Sequence, residues 1–161
     1  MAVLPIIPGQ DNPVLRKKNA AVPFVSKEIK KLIKDMEDTV NAADGAGLAA
    51  PQINQSIRLC LALISGQIVP LINPEIMWRS VEKEILEEGC LSLPKIWRNI
   101  ERHLGIIIQY TDVKGQPQER KLTGFDARAV QHELDHLDGV LIVDYPELKI
   151  NKEESKENSV L

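Results

Sequence analysis

The six residues 131–136, with the sequence QHELDH, constrain the fold of this chain more than any other segment. They place His132 and His136 four positions apart, a spacing that brings both side chains onto one face of a helix. Two imidazoles placed in this way can share one divalent metal ion, and Glu133 between them is close enough to transfer a proton. Apolar residues recur at helical spacing around the pair, and Gly139 stands where a helix would end. The segment therefore predicts a late helix with an apolar stripe that packs into a sheet.

The motif alone leaves two interpretations open, because a helical pair of histidines can also form a solvated surface. A catalytic metal site usually has three protein ligands and one open position. The candidates for the third ligand are Cys60, Cys90, His103 and a carboxylate. Cys60 lies in an alternating apolar stretch, where a thiol usually acts as a small buried hydrophobe, and His103 lies in a polar stretch that predicts exposure. Cys90 follows a glycine-marked bend, which favours it as a ligand.

The bulk properties exclude several classes of protein. The chain has 161 residues, 43% hydrophobic and 27% charged, which is typical of one globular domain with one core. Its net charge of -3 provides no basic surface for DNA, and no apolar run approaches the ~20 residues that span a bilayer. The first residues lack the features of a signal peptide. We expect a cytoplasmic monomer that binds neither DNA nor a membrane.

The periodicity of the rest of the chain predicts an α+β domain. Ser26 can cap an N-terminal amphipathic helix, and alternating apolar residues from Ile57 onward predict several antiparallel strands. Short strands are expected at 68–72, 81–86, 106–110 and 120–122, with a hairpin turn at 112–115. Pro70 limits its strand to an edge or a bulge. We expect antiparallel sheets packed around the late helix in a single domain of residues 1–148, and a polar, frayed tail over 149–161.

Residues 45–52, with the sequence GAGLAAPQ, are unusually rich in small side chains. A phosphate-binding loop is excluded by the spacing, because no Lys-Ser or Lys-Thr follows the glycines. A flexible loop remains one interpretation. A second is a segment beside which a peptide docks through backbone hydrogen bonds, since this needs no large side chains.

Three segments together resemble the peptide deformylases. The patterns of that family are GxGLAAPQ, EGCLS and QHExDH, and this chain has GAGLAAPQ at 45–52, EGCLS at 88–92 and QHELDH at 131–136, in the same order. The resemblance extends from about Pro13 to Tyr145. It implies an enzyme that removes the formyl group from the N-terminal formylmethionine of new polypeptides.

The resemblance also implies roles for individual residues. Cys90, His132 and His136 would bind the metal, which is usually Fe²⁺ in the family, with Zn²⁺, Ni²⁺ or Co²⁺ able to substitute. A hydroxide on the metal would attack the formyl carbon, Glu133 would act as the general base and acid, and Gln52 with the backbone N–H of Leu91 would stabilise the oxyanion. The residues expected to contact the substrate are Gly45, Ala46, Gly47, Glu88, Gly89 and Phe125. The candidates for groups that orient the metal ligands are Gln131, Asp135 and Glu88. The expected partners are formyl-Met N-termini of nascent peptides, with transient contact to the ribosome.

The chain departs from the family pattern at several places. Ala46 stands where the family usually has Val or Ile, so we expect a wider methionine pocket, with Phe125 filling part of its wall. Residues 95–98 do not follow one common family pattern, and the tail lacks a long C-terminal helix. Two other functions compete: a zinc peptidase with a third ligand at Asp138, Asp144 or Glu147, and a relative that binds N-termini or a structural metal without turnover.

Overall fold

The structure is a computed structural model, and it describes residues 2–149 and 159–161. Over these residues there are two α-helices, α1 (Lys27–Ala42) and α2 (Gly124–Leu137). The eight strands are β1 (Gly47–Ala49), β2 (Leu59–Ile64), β3 (Gln67–Arg79), β4 (Lys83–Cys90), β5 (Leu93–His103), β6 (Gly105–Thr111), β7 (Pro117–Thr123) and β8 (Ser159–Val160). Short 3₁₀ turns lie at Pro13–Arg16, Ala50–Ile53 and Ile142–Asp144.

The strands form two sheets that meet around α2. Five strands make one antiparallel sheet in the order β1-β2-β3-β6-β7, and three make a second sheet in the order β5-β4-β8. In the second sheet β4 is antiparallel to β5 and parallel to β8. Helix α2 contacts strands of both sheets. The predicted α+β fold, with antiparallel sheets around a late helix, is therefore confirmed.

Alternation along β2 explains why a helix covers each face of the five-stranded sheet. Leu59 and Leu61 point into a hydrophobic cluster with Met36 and Val40 of α1. The intervening Cys60 and its alternate neighbours belong to the cluster beneath α2. Since side chains alternate between the two faces of a strand, a strand that is apolar at every position is buried on both sides. Cys60 is fully buried, as predicted for a small hydrophobe.

Local sequence signals mark the start of α1 and the end of α2. The Ser26 hydroxyl accepts a hydrogen bond of 3.2 Å from the N–H of Ile29, which confirms the predicted cap of α1. After α2 the chain turns at Gly139, whose φ of +74° favours glycine. The predicted apolar stripe of α2 is buried in one cluster by Ala127, Val130, Leu134 and Leu137. Because the stripe packs against the five-stranded sheet, the opposite face of α2 lies toward β4.

The two longest strands, β3 and β5, both differ from the prediction. β3 runs for 13 residues instead of five, and Pro70 is tolerated because the pairing with β6 begins only at Ile72, so that residues 67–71 pair with β2 alone. β5 was not predicted at all: its sequence reads as polar because Arg98, Glu101 and other charged residues punctuate it. The polar stretch around His103 is thus part of an 11-residue strand, and His103 is half-buried.

The expected frayed tail differs over its last residues. Ser159 and Val160 form β8 and pair with Glu88 and Gly89 of β4, and Leu161 is buried. Residues 150–158 of the expected tail lie outside the described residues. In the part of the chain that the structure describes, no helix is long and apolar enough to cross a membrane.

Candidate metal centre

Three side chains from two elements converge at the inner face of α2. Cys90 is the last residue of β4, and His132 and His136 lie one turn apart on α2. One potential ligand atom from each of the three lies within 4.8 Å of the others. The Cys90 Sγ and His136 Nε2 atoms are 3.3 Å apart, and the two imidazole centroids are 5.0 Å apart. All three residues are buried, so the group is closed off from bulk water.

The donor set fits one divalent metal ion. Nε2 of His132 is buried and has no hydrogen-bond partner among the described residues, which is costly unless a ligand satisfies it. Bonds of roughly 2.0–2.3 Å from a tetrahedral ion would place its ligands about 3.5 Å apart, close to the separation of Cys90 Sγ and His136 Nε2. Thiolate and imidazole are ligands that suit Fe²⁺ and Zn²⁺. The three residues could therefore hold the metal that the sequence predicts.

Glu133 lies beside these three residues and carries a buried carboxylate that makes no hydrogen bond with the described residues. It is fully buried, and neither of its oxygens makes a hydrogen bond with any described residue. Burial raises the pKa of Glu133 to about 7, and the neighbouring His132 offsets this only in part. A carboxyl group with such a pKa can accept and return a proton near neutral pH. Gly47 leaves the space that Glu133 fills, because a Cβ at residue 47 would lie 2.4 Å from Glu133 Oε1.

The oxygen and the nitrogen of the Gln52 side-chain amide both form hydrogen bonds. Its Oε1 accepts a hydrogen bond of 2.9 Å from the N–H of Ala49, so its Nε2 points away from β1. Nε2 donates to Ser92 Oγ at 3.0 Å and lies 3.8 Å from Cys90 Sγ. The fixed amide is therefore a hydrogen-bond donor at the edge of the three converging side chains.

Glu88 orients the ring of His132. Its Oε1 is 2.9 Å from His132 Nδ1, and both oxygens accept hydrogen bonds of 2.9 Å from Arg102. Arg128 forms a third contact to the same carboxylate. Burial would raise the pKa of Glu88, but the hydrogen bonds from Arg102 and His132 hold it well below its usual range. Because an ionised carboxylate only accepts, the proton of His132 lies on Nδ1, and Nε2 keeps its lone pair for a metal.

The other residues predicted to contact the substrate lie in three places: the glycine-rich segment, the end of β4 with its following turn, and the start of α2. Leu91 follows Cys90 in the turn between β4 and β5, and a Cβ at Gly45 would lie 2.8 Å from Leu91 Cδ1, so the glycine-rich segment contacts this turn. Gly89 is buried under the ring of Trp97, and Ala46 is half-buried. Phe125 lies at the start of α2 and is 37% exposed.

Sequence reasoning missed the arginines of the site. Arg102 and Arg128 are 4% and 3% exposed, although charged residues in a strand and a helix usually indicate a solvated face. Glu88 was expected to contact the substrate; here it binds both arginines and His132. A signal existed in the pattern, because Arg128 lies four positions before His132 and therefore on the same face of α2.

The carboxylates that a zinc peptidase would need are engaged elsewhere. Asp138 binds Arg58 at 2.8 Å, and Asp144 binds Arg16. Glu147 lies 3.8 Å from Arg98. None of the three belongs to the group that could hold a metal among the described residues. The convergence of Cys90 with the two histidines is what separates this chain from that class.

Comparison with known proteins identifies the family. The model of the polypeptide deformylase family matches residues 3–154, nearly the whole chain. The chain belongs to the polypeptide deformylase family. The peptide deformylase of Pseudothermotoga lettingae is 46% identical over 133 residues, which are 83% of this chain and 77% of that protein. The deformylases are hydrolases, and this member has the donor group that a metal-dependent enzyme requires.

Solved deformylase structures share the fold as well as the sequence. The crystal structure of peptide deformylase from Thermotoga maritima has a TM-score of 0.88 and 41% identity, covering 92% of this chain and all of that chain. A class I type b deformylase from Acinetobacter baumannii, solved with Met-Ala-Ser bound, has a TM-score of 0.85 and 33% identity, covering 89% of this chain and 98% of that chain. The deformylase fold thus extends over almost the entire chain.

Proposed function

We propose that this deformylase removes the formyl group from N-terminal formylmethionine with a metal ion held by Cys90, His132 and His136. The observation that carries the proposal is the convergence of three buried ligand atoms beside Glu133, a buried carboxylate to which no described residue donates a hydrogen bond. A structural metal site would have four protein ligands and no need for such a carboxylate. The geometry therefore supports a catalytic site over a structural one.

The bound metal would supply Lewis-acid chemistry, making water reactive near neutral pH and polarising the formyl group. We propose Fe²⁺ as the native ion, with Zn²⁺, Ni²⁺ or Co²⁺ able to replace it, because one thiolate and two imidazoles bind all of these ions. A thiolate and Fe²⁺ are both oxidisable, so activity with iron is expected to fade in air.

Glu133 would carry the proton through the reaction. Its carboxylate would accept a proton from the attacking water, and the C–N bond of the formamide would then break. The same carboxyl group would return the proton to the methionine nitrogen, which leaves as an amine while formate is released. A pKa of about 7 suits both steps, since the group is ionised often enough to accept a proton and acidic enough to return it.

Gln52 and the N–H of Leu91 would stabilise the negative charge on the former carbonyl oxygen. The Gln52 amide is fixed by its hydrogen bonds to Ala49 and Ser92, so little reorganisation is needed when the charge develops. Leu91 lies in the turn directly after Cys90, which places its backbone beside the metal ligand. Each such donor contributes on the order of 3–4 kcal/mol to transition-state binding in other enzymes.

The substrate would lie as an extended peptide between the segments 45–47 and 88–90. Gly47 would pair with its backbone, and Ala46 with Phe125 would border the methionine side chain. Gly45, Gly89 and the backbone of Glu88 complete the set of residues proposed to border the substrate. The binding of Met-Ala-Ser to the Acinetobacter relative supports a peptide that begins with methionine. The enzyme is proposed to act in the cytoplasm as a monomer on nascent chains, with transient contact to the ribosome and no contact with DNA.

The test is formate release from formyl-Met-Ala-Ser by protein purified without air and loaded with Fe²⁺ or Co²⁺. Glu133→Gln is expected to bind the metal stoichiometrically and to lose about 10²- to 10⁴-fold in kcat, the usual contribution of a general acid–base group. Glu101→Gln is the matched control, because Glu101 lies on the surface beside Lys83. Absence of formate release from the metal-loaded wild type would overturn the proposal, as would cleavage of an internal peptide bond instead.

A further inference from the structure

We propose that Asp135 and Tyr145 are positioning residues for the metal centre: they hold Arg102, which holds Glu88, which fixes the ring of His132. The inference rests on the proposed function and deepens it, because it assigns work to residues that contact neither metal nor substrate. It is carried by a continuous series of hydrogen bonds that starts at a metal ligand and ends near the surface.

The inner half of the series is buried and rigid. Glu88 is fully buried, and its two oxygens receive three of their hydrogen bonds from His132 and Arg102, each 2.9 Å long. Arg102 uses its Nε and Nη2 for these bonds, which matches the geometry of a planar guanidinium facing a carboxylate. Rotation of the His132 ring would therefore require Glu88, and then Arg102, to move.

The outer half of the series holds the remaining nitrogen of Arg102. Nη1 donates to Asp135 Oδ2 at 2.6 Å and to the Tyr145 hydroxyl at 3.0 Å. The Tyr145 hydroxyl in turn donates to Asp135 Oδ2 at 2.6 Å, and the Arg102 guanidinium carbon lies 5.0 Å from the centre of the Tyr145 ring. Burial raises the pKa of Tyr145 to about 12, so the hydroxyl keeps the proton that it donates. The Arg102 Nη1, the Asp135 carboxylate and the Tyr145 hydroxyl therefore each form a hydrogen bond with the other two groups.

The charges give a second reason for Asp135. Arg102 and Arg128 both contact the single carboxylate of Glu88 at nearly full burial. Asp135, which is only partly buried, supplies a second negative charge to Arg102. Without it the cluster next to His132 would carry an excess positive charge, which would disfavour a cation at the metal centre.

The series also joins parts of the chain that are distant in sequence. Asp135 and His132 lie on α2, Glu88 on β4 and Arg102 on β5, while Tyr145 follows the 3₁₀ turn at Ile142–Asp144. Through the Tyr145 hydroxyl the segment after α2 is hydrogen-bonded to the series that ends at His132. This predicts that a change at Tyr145 is felt at the metal.

Tyr145→Phe tests the inference, because it removes only the hydroxyl. Loss of a residue that hydrogen-bonds directly to a metal ligand usually changes metal affinity or activity 10- to 100-fold. Glu88 and Arg102 lie between Tyr145 and His132, so for Tyr145→Phe we expect a smaller effect, a Kd for Co²⁺ about 3- to 10-fold higher. The visible absorption of the cobalt protein should shift, and kcat should fall with KM unchanged. Tyr110→Phe is the matched control: it deletes the same hydroxyl in the hydrophobic cluster beneath α2 and should match the wild type in all three measurements.

A double-mutant cycle separates positioning from general destabilisation. Asp135→Asn should also raise the Kd for Co²⁺, and Tyr145→Phe should add little in that background, because both act through Arg102. Additive effects, or a wild-type Kd and cobalt spectrum in both single variants, would overturn the inference. The Kd and the spectrum require no turnover, so they remain decisive even if the wild type releases no formate.

A different observation, the position of β8, carries a second proposal. β8 pairs with β4 on the side opposite β5, matching Ser159 to Glu88 and Val160 to Gly89. The N–H of Leu161 donates to the carbonyl of Gly89 at 3.1 Å, and Leu161 is 1% exposed. The last residues of the chain thus lie on the edge of β4 next to Cys90.

We infer that residues 159–161 compete with the substrate peptide for this edge. This inference rests on the proposed function, in which the substrate peptide runs beside residues 88–90, and extended peptides bind by adding to a free strand edge. One edge pairs with one strand at a time, so the substrate must displace β8. The substrate affinity is then reduced by the fraction of molecules in which β8 is bound.

Leu161→Asp tests this competition in the full chain, because a charged side chain cannot be buried there without a large cost. If β8 is bound in nine molecules of ten, KM for formyl-Met-Ala-Ser should fall about tenfold, with kcat unchanged. Val3→Asp at an exposed apolar position is the control and should leave KM unchanged. An equal or higher KM in Leu161→Asp would overturn the competition. Absence of formate release from the metal-loaded wild type would instead count against the proposed function.

Discussion

Gly47→Ala offers the sharpest test of how the site is built. The new Cβ would lie 2.4 Å from Glu133 Oε1 and 2.8 Å from its Cδ. It cannot escape to the other side, because the backbone oxygen of Leu61 is 2.9 Å away. Ordinary contact needs about 3.4 Å, so the Glu133 carboxylate must move by about 1 Å. The three atoms nearest to the new Cβ belong to Glu133 and Leu61, and none of them belongs to Cys90, His132 or His136.

The expected result is therefore a loss of turnover without a loss of metal. A misplacement of about 1 Å at a reacting group can cost 10²-fold in rate, so we expect kcat for formate release to fall by about that factor. Overpacking in a buried site costs about 1–3 kcal/mol, which should lower Tm by several degrees in a domain of this size. The assay compares kcat, KM, Tm and metal content with those of the wild type.

Gly105→Ala is the matched control for this substitution. Gly105 is also a buried strand residue, but its added Cβ would meet nothing closer than 3.5 Å, an ordinary contact with Trp78. It should keep wild-type kcat and Tm. If Gly47→Ala retained kcat within about threefold of the wild type, the placement of Glu133 against Gly47 or its role in proton transfer would be refuted.

Three further predictions concern the remaining groups of the site. Gln52→Ala should lower kcat by about 10²- to 10³-fold at unchanged metal content; an effect on KM alone would contradict the role of Gln52 at the oxyanion. Burial would raise the pKa of Glu88, but Arg102 and His132 hold that pKa below its value in the unfolded chain. The contribution of this carboxylate to the free energy of unfolding is therefore fully present above about pH 4.3. It is lost as the pH falls further, by up to about 1.4 kcal/mol per pH unit. Urea unfolding measured between pH 3 and 7 checks this, and a flat acid limb would contradict it. Chelation should lower Tm, since an ion at a thousandfold excess over its Kd contributes about 4 kcal/mol to folding; Cys90→Ala should remove most of that difference.

The late helix and its histidines were predictable because their signals are local. The spacing of His132 and His136, the apolar stripe and Gly139 all lie within one stretch of chain and agree on one helix. The same holds for α1, whose cap at Ser26 and apolar face are adjacent in sequence. In these segments the pattern is complete before any tertiary contact is made.

β5 could not be predicted from its own residues, because its burial depends on partners elsewhere. Arg102 can be buried because the carboxylate of Glu88, 14 positions earlier, neutralises its charge. Arg128 reaches the same carboxylate from 40 positions away. A periodicity argument assigns such arginines to solvent. The length of β3 was missed for a related reason: Pro70 and Pro74 argue against a strand, and only the late start of pairing with β6 makes the first of them tolerable.

The separation of Cys90 from His136, 46 positions along the chain, has a consequence for how the enzyme is made. During synthesis the thiol emerges long before the helix that carries the other two proposed ligands, so an ion held by all three could be fully bound only when most of the chain has been translated. Once bound, it closes a loop between β4 and α2 and restricts the unfolded chain much as a covalent bridge would. The supply of the metal ion would thereby govern how many copies of the enzyme fold to maturity, in addition to how fast each one works.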